Sequence, residues 1–189
     1  MPAIERYEGV VYDALDAGSL TPVARAWVDA HVLVASALWG FVAAGDRIPS
    51  YRCSSSDLKG PLRGVWADAG AVLAGEAVVD LRSRSYVHVA PVPEAIAVDV
   101  VGEDGAALNH WNKHGKGALV RRMAMDGVVA DDAGALAAWA ASSLASTTIR
   151  APGACLRALP TASSARWYRA DSTAGMSRGS STRTSTSVP

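Results

Sequence analysis

At 189 residues, half of them hydrophobic, the chain is long enough for one domain with a sizeable core. Its 18 Lys and Arg balance its 18 Asp and Glu, so bulk charge supplies no attraction to nucleic acid and only a local basic patch could do so. Two cysteines without a CxxC exclude a disulfide framework, and the charged start MPAIERYEG does not read as a secretory leader. The longest apolar run, Val32 to Gly45, is too short and too interrupted to span a bilayer. The expected location is therefore the cytoplasm, with no membrane contact.

Residues 2–16 place Ile4, Tyr7, Val11 and Leu15 at helical spacing and read as a short amphipathic segment. Thr21-Pro22 is a helix start, with Thr as N-cap and Pro at the first helical position. The stretch VARAWVDAHVLVASALWGF reads as one helix, or two meeting near Ser36. Gly45 to Ser56 is rich in turn formers and reads as a loop. Pro61 opens a helical stretch that Gly75 closes. Val78–Leu81 and Ala95–Val101 read as strands, Glu103-Asp104-Gly105 as a hairpin turn, and Leu108–Trp111 as a return strand. Lys113–Met125 reads as a helix despite two glycines, and Asp131-Asp132 caps a last one.

Charge is uneven along the chain. Residues 1–150 hold 13 Lys and Arg against 17 Asp and Glu, whereas residues 151–189 hold five Arg and one Asp. Thirteen of those last 39 residues are Ser or Thr. Such a segment offers too little apolar surface to offset its ordering entropy and reads as a disordered tail. The expected boundaries are a domain over 1–150 and a tail over 151–189.

Two segments carry candidate chemistry. In NHWNKHGKGALVRR, Lys113, Lys116, Arg121 and Arg122 cluster beside Trp111. A helix starting at Lys113 would align Lys113, Lys116 and Gly117, with Arg121 one turn on. Its free N–H groups would add positive potential, and Gly115 and Gly117 would admit a phosphate. A solvated basic face is the plain alternative. Arg47, Arg52, Lys59 and Arg63 form a second basic set. The four histidines lack metal-ligand spacing, so no metal or other cofactor is expected. Ser36 lacks a nucleophile-elbow context and reads as a buried serine bonded to a carbonyl. Cys53 beside Arg52 reads as an ordinary loop cysteine.

Four blocks resemble the peroxide stress protein YaaA family. The first is RYEGVVYDALD, through Tyr7, Gly9, Val11, Tyr12 and Leu15. The second is the S-x-L-[YW]-G … D-x-I-x-x-Y-R pattern, met by Ser36, Trp39, Gly40, Asp46, Tyr51 and Arg52. VVDLRSRSY supplies Asp80, Ser83 and Tyr86, and the basic segment supplies Trp111, Lys113, Lys116, Gly117 and Arg121. Lys116 stands where the family usually has Arg, which exchanges a bidentate fork for a point charge. Ala44 stands near a usual Pro.

Together, elements and resemblance imply an α+β fold: a single mixed domain with a small sheet surrounded by helices. The resemblance covers roughly residues 4–150. It implies an incomplete fold, because the family begins with a strand and a Pro/Ser/Lys loop that do not appear before residue 4. It also implies a peroxide-response protein that binds DNA through a basic cleft with a helix-hairpin-helix element and helps limit iron-dependent damage. The Ser36–Gly40 turn is the candidate hairpin. The expected partner is DNA without sequence preference, through Lys113, Lys116, Arg121, Arg122, Arg52 and Arg47. No protein partner is identifiable, and no enzymatic reaction is expected. The rival readings are an enzyme of nucleotide or damaged-DNA chemistry, using Asp46 or Asp80 with Lys113, and an inactive fragment.

Overall fold

A computed structural model of the chain describes residues 1–98 and 109–144. The expected turn at Glu103–Gly105, the tail 151–189 and the Arg63 side chain lie outside the described residues. Helices α1 (Ala3–Arg6), α2 (Val10–Leu15) and α3 (Pro22–His31) lead into a hairpin of β1 (Leu33–Ser36) and β2 (Gly40–Ala43). Short 3-10 turns at Ser55–Asp57, Gly60–Gly64 and Ala69–Leu73 precede β3 (Val79–Asp80), α4 (Arg84–Val89) and β4 (Ile96–Ala97). Helices α5 (Asn109–Asp126) and α6 (Ala133–Leu144) follow. This is an α+β fold that has, among the described residues, two small sheets: β1–β2 antiparallel and β3–β4 parallel.

The first segment breaks over Tyr7–Gly9 into two short helices rather than one. The start at Thr21 is as expected: its Oγ1 accepts from Ala24 N at 3.2 Å, with Pro22 next. The long helix expected after it is corrected. It ends at His31, and residues 33–43 form a hairpin with Val34 opposite Val42 and Ser36 opposite Gly40. Burial there alternates with period two, Val34, Ser36, Gly40 and Val42 facing inward. The β-branched valines favour that pleat, and it overrides the helical preference of the alanines. Gly40 takes φ +76°, and a Cβ there would stand 2.9 Å from the Trp66 ring. The Ser36–Gly40 turn thus joins two strands and is not the hairpin of a helix-hairpin-helix.

Residues 60–73 form 3-10 turns in place of the expected helix. Asn109–Trp111, expected in a return strand, open α5 instead. Lys113 is therefore one turn inside that helix, and its N–H is not one of the free N-terminal donors. Asp132 Oδ1 accepts from Ala135 N at 2.8 Å and caps α6 as expected.

Two apolar clusters hold the elements. One gathers Ile4, Leu15, Val28, Val34, Val42 and Ile48. The other gathers Val98, Leu119, Met123, Leu136 and Ala140, and Trp27 packs against both. The N-terminus is stitched to the end of the hairpin by Ala3 N to Asp46 O (2.7 Å) and Ile4 N to Ala44 O (3.0 Å). Helices α2 and α5 touch at Gly117, where a Cβ would stand 2.1 Å from Val11 O. The open face of that glycine is filled by a helix, not left for a phosphate.

Candidate functional site

The hairpin register turns Ser36 inward, to 3% exposure. Its Oγ accepts from Leu38 N (3.1 Å) and Trp39 N (3.0 Å), which stiffens the turn. Both lone pairs being taken, the hydroxyl hydrogen goes to Tyr51 Oη at 2.6 Å. Tyr51 Oη meets Tyr7 Oη at 2.5 Å. Three hydroxyl hydrogens serve two oxygen–oxygen links, so one phenol hydrogen, on Tyr7 or Tyr51, is left for a further acceptor. The rings pack too: Tyr7 stacks on Tyr12 at 5.6 Å, and Tyr51 stands edge-on to Tyr7 and Trp39, each at 6.2 Å. Burial pushes the Tyr7, Tyr12 and Tyr86 phenols above their ordinary value, so they stay protonated donors. Tyr86 and Tyr51 are close enough to affect Tyr12, which joins α4 to the cluster. Trp39, 43% exposed, stands at its mouth.

Beside it lies an ion pair. Arg82 forks onto Asp80, Nε to Oδ1 at 2.9 Å and Nη2 to Oδ2 at 2.7 Å, and Nη1 reaches Ala90 O at 2.7 Å. Its guanidinium also lies 5.1 Å from the Phe41 ring centre, tying β3 and α4 to the hairpin. Burial opposes ionisation of Asp80. The Arg82 hydrogen bonds and charge, with Lys116 adding, outweigh it and hold the carboxyl below its ordinary value. Lys116 is only 6% exposed. It belongs to this buried network rather than to an open basic face.

The other expected phosphate contacts divide. Arg121 Nη1 donates to Leu15 O (2.8 Å) and Asp16 O (2.9 Å), closing the end of α2. Arg122 Nε donates to Asp126 Oδ2 at 2.8 Å, and that carboxylate also accepts from Trp139 Nε1 of α6 at 3.1 Å. Arg47, Arg52, Lys59 and Lys113 are exposed. Asp46 Oδ2 accepts from Ala43 N at 2.8 Å, a turn contact. Ser83 occupies the N-cap position of α4, its Oγ 3.0 Å from Ser85 Oγ. Trp111 stands edge-on to His114 at 6.0 Å within α5. The structure thus gathers Ser36, Trp39, Gly40 and Tyr51 in one place and Asp80 with Lys116 in another, and it sets Arg121 and Arg122 against other helices.

Among the described residues no helix is long and apolar enough to cross a membrane. Nor do three His, Cys, Asp or Glu side chains of those residues converge as metal ligands would. The profile of a family described as peroxide stress protein YaaA matches residues 1–144. The chain belongs to that family. A UPF0246 protein of Corynebacterium efficiens is 40% identical over 151 residues, 72% of this chain and 60% of the relative. UPF0246 proteins of Corynebacterium glutamicum and Streptomyces coelicolor are each 39% identical, over 139 and 140 residues. Those matches take 66% and 67% of this chain and 55% and 54% of the relatives. The chain spans roughly half to three-fifths of the length of these curated relatives.

In this YaaA-family chain the sequence does not single out two side chains that the fold places in these clusters. Tyr7 lies in a motif block, but only the fold brings it to Tyr51, 44 positions away. Arg82, two residues after Asp80, carried a readable signal: an acid and an arginine on the same side of an extended strand end.

Proposed function

We propose that this YaaA-family protein is a binding protein, not an enzyme, that holds DNA by its phosphates without reading sequence and so helps limit iron-dependent oxidative damage. The observation that carries the reading is the exposure of Arg47, Arg52 and Lys59 on one loop segment, where Tyr51 connects to the Ser36 cluster. Exposed cations on a rigidly anchored loop can neutralise phosphates and release counterions. The non-enzymatic side is supported by Asp46 and Asp80, the carboxylates that the rival enzyme reading would use. One caps a turn and the other is forked by Arg82.

The test is a titration of two unrelated duplexes at ~50 and ~200 mM salt. Equal affinity for both sequences, falling steeply with salt, is expected. Plasmid nicking by ferrous iron and peroxide should then slow in the presence of the protein. Absence of duplex binding at the lower salt would overturn the reading.

A further inference from the structure

Resting on that DNA reading, we infer that a cavity between the 55–60 loop and α4 is a site for a phosphomonoester, such as a 5′-phosphate at the end of a DNA strand. The cavity has a volume of about 610 Å³ and is lined by Ser55, Ser56, Lys59, Ser85 and His88, with Leu58 and Val89 as its apolar side. That volume lies within the ~300–1,000 Å³ of small-ligand pockets. Two of these three hydroxyls, with the lysine and the histidine, are a donor set for a tetrahedral oxyanion. A terminal phosphate offers three free oxygens and nearly two charges, whereas an internal diester offers two oxygens and one charge.

Asp57, on the same loop, does not line the cavity. It turns back into its own loop, accepting from Ser54 N at 2.7 Å and Ser54 Oγ at 2.8 Å. Those two Ser54 bonds, with Lys59 and Arg52 adding charge, hold it ionised. Ser54 thereby spends its hydrogen on Asp57 and accepts from Ser56 Oγ at 2.7 Å, so Ser56 Oγ keeps its lone pairs while its hydrogen is used. Donors for a phosphate are left to Ser55, Lys59, His88 and the Ser83–Ser85 pair, which has two hydrogens for one link. Tyr86 on α4 lies against the Ser55 backbone, so the cavity adjoins the tyrosine cluster. Arg52 lies near enough to Asp57 to favour its charged form, which places one of the loop cations near the cavity.

The test compares blunt duplexes with 5′-phosphate and 5′-hydroxyl ends, and AMP alone, on wild type, on the double variant Ser85→Ala/His88→Ala and on Lys59→Ala. All three positions are exposed, so folding is preserved. We expect the phosphorylated end to bind about tenfold tighter, with the preference lost in the double variant and 5′-hydroxyl affinity unchanged. Duplex binding without a preference for the phosphate overturns the inference and leaves the DNA reading standing. AMP binding that the variant abolishes, without duplex binding, keeps the phosphomonoester site and overturns the DNA reading. A phosphate preference that survives both in the double variant and in Lys59→Ala overturns the site.

Discussion

Helix α5 and the loop from Asp46 to Lys59 carry similar numbers of cations, yet the fold uses them differently. On α5, Lys116 is buried beside Asp80, Arg121 closes the end of α2, and Arg122 joins an acid that also holds Trp139. On the loop, Arg47, Arg52 and Lys59 face solvent. A basic cluster in sequence is thus not a basic surface. What decides is whether carbonyls and carboxylates of neighbouring elements come within reach, and for Lys116, Arg121 and Arg122 they do because other helices and β3 pack around that part of α5, whereas Lys113 is exposed.

The comparison breaks most readily at Gly117. Adding a side chain there, as in Gly117→Val, drives carbon into the Val11 carbonyl. It should cost about 3 kcal/mol or more, read as a lowered urea midpoint. Wild-type stability in that variant would mean that α2 and α5 do not meet as described.

Next comes the buried pair. Asp80→Asn should cost about 2–3 kcal/mol, because Arg82 and Lys116 lose their carboxylate. The figure falls below the ~3–5 kcal/mol of a fully buried pair because the Arg82 side chain keeps 14% exposure. The pH dependence has a sign. The folded carboxyl titrates below its unfolded value of about 3.9, so its contribution is full above that pH and is lost as pH falls through the folded value. Urea midpoints against pH should show this acid loss in wild type and a smaller one in Asp80→Asn. Identical acid limbs would remove Asp80 from the account.

Arg121→Met should cost about 2 kcal/mol through its two carbonyl hydrogen bonds. It should also leave the affinity of the folded protein for DNA unaltered. Lys113→Ala, at an exposed position, should change stability by less than about 0.5 kcal/mol. Thermal melts and binding titrations on the same samples separate the two effects.

Much of the outer frame was legible in the sequence. Thr21-Pro22 and Asp132 mark helix starts because capping is local chemistry, and the motif blocks identify the family. The hairpin at 33–43 was masked by alanines that suit a helix, although Val32, Val34 and Ser36 already alternate. The 3-10 turns after Pro61 escaped because Gly60, Gly64, Gly70 and Gly75 punctuate a stretch whose apolar spacing still suits a helix. The candidate site was legible in its residue types but not in its partners. The sequence suggests a buried serine bonded to a carbonyl, whereas Ser36 accepts two backbone N–H groups and donates to Tyr51. That pairing depends on a loop returning 15 positions later, and no local pattern encodes it.

In the proposed DNA reading the exposed loop cations, rather than Lys116, Arg121 and Arg122 of α5, meet the phosphates. That claim is tested most directly by the salt dependence of duplex binding for wild type, Arg47→Ala/Arg52→Ala and Arg121→Met. The loop variant should lower the slope of log affinity against log salt by about two, near 0.9 for each phosphate no longer neutralised. Arg121→Met should keep the wild-type slope. A slope that drops in Arg121→Met and holds in the loop variant would contradict the account.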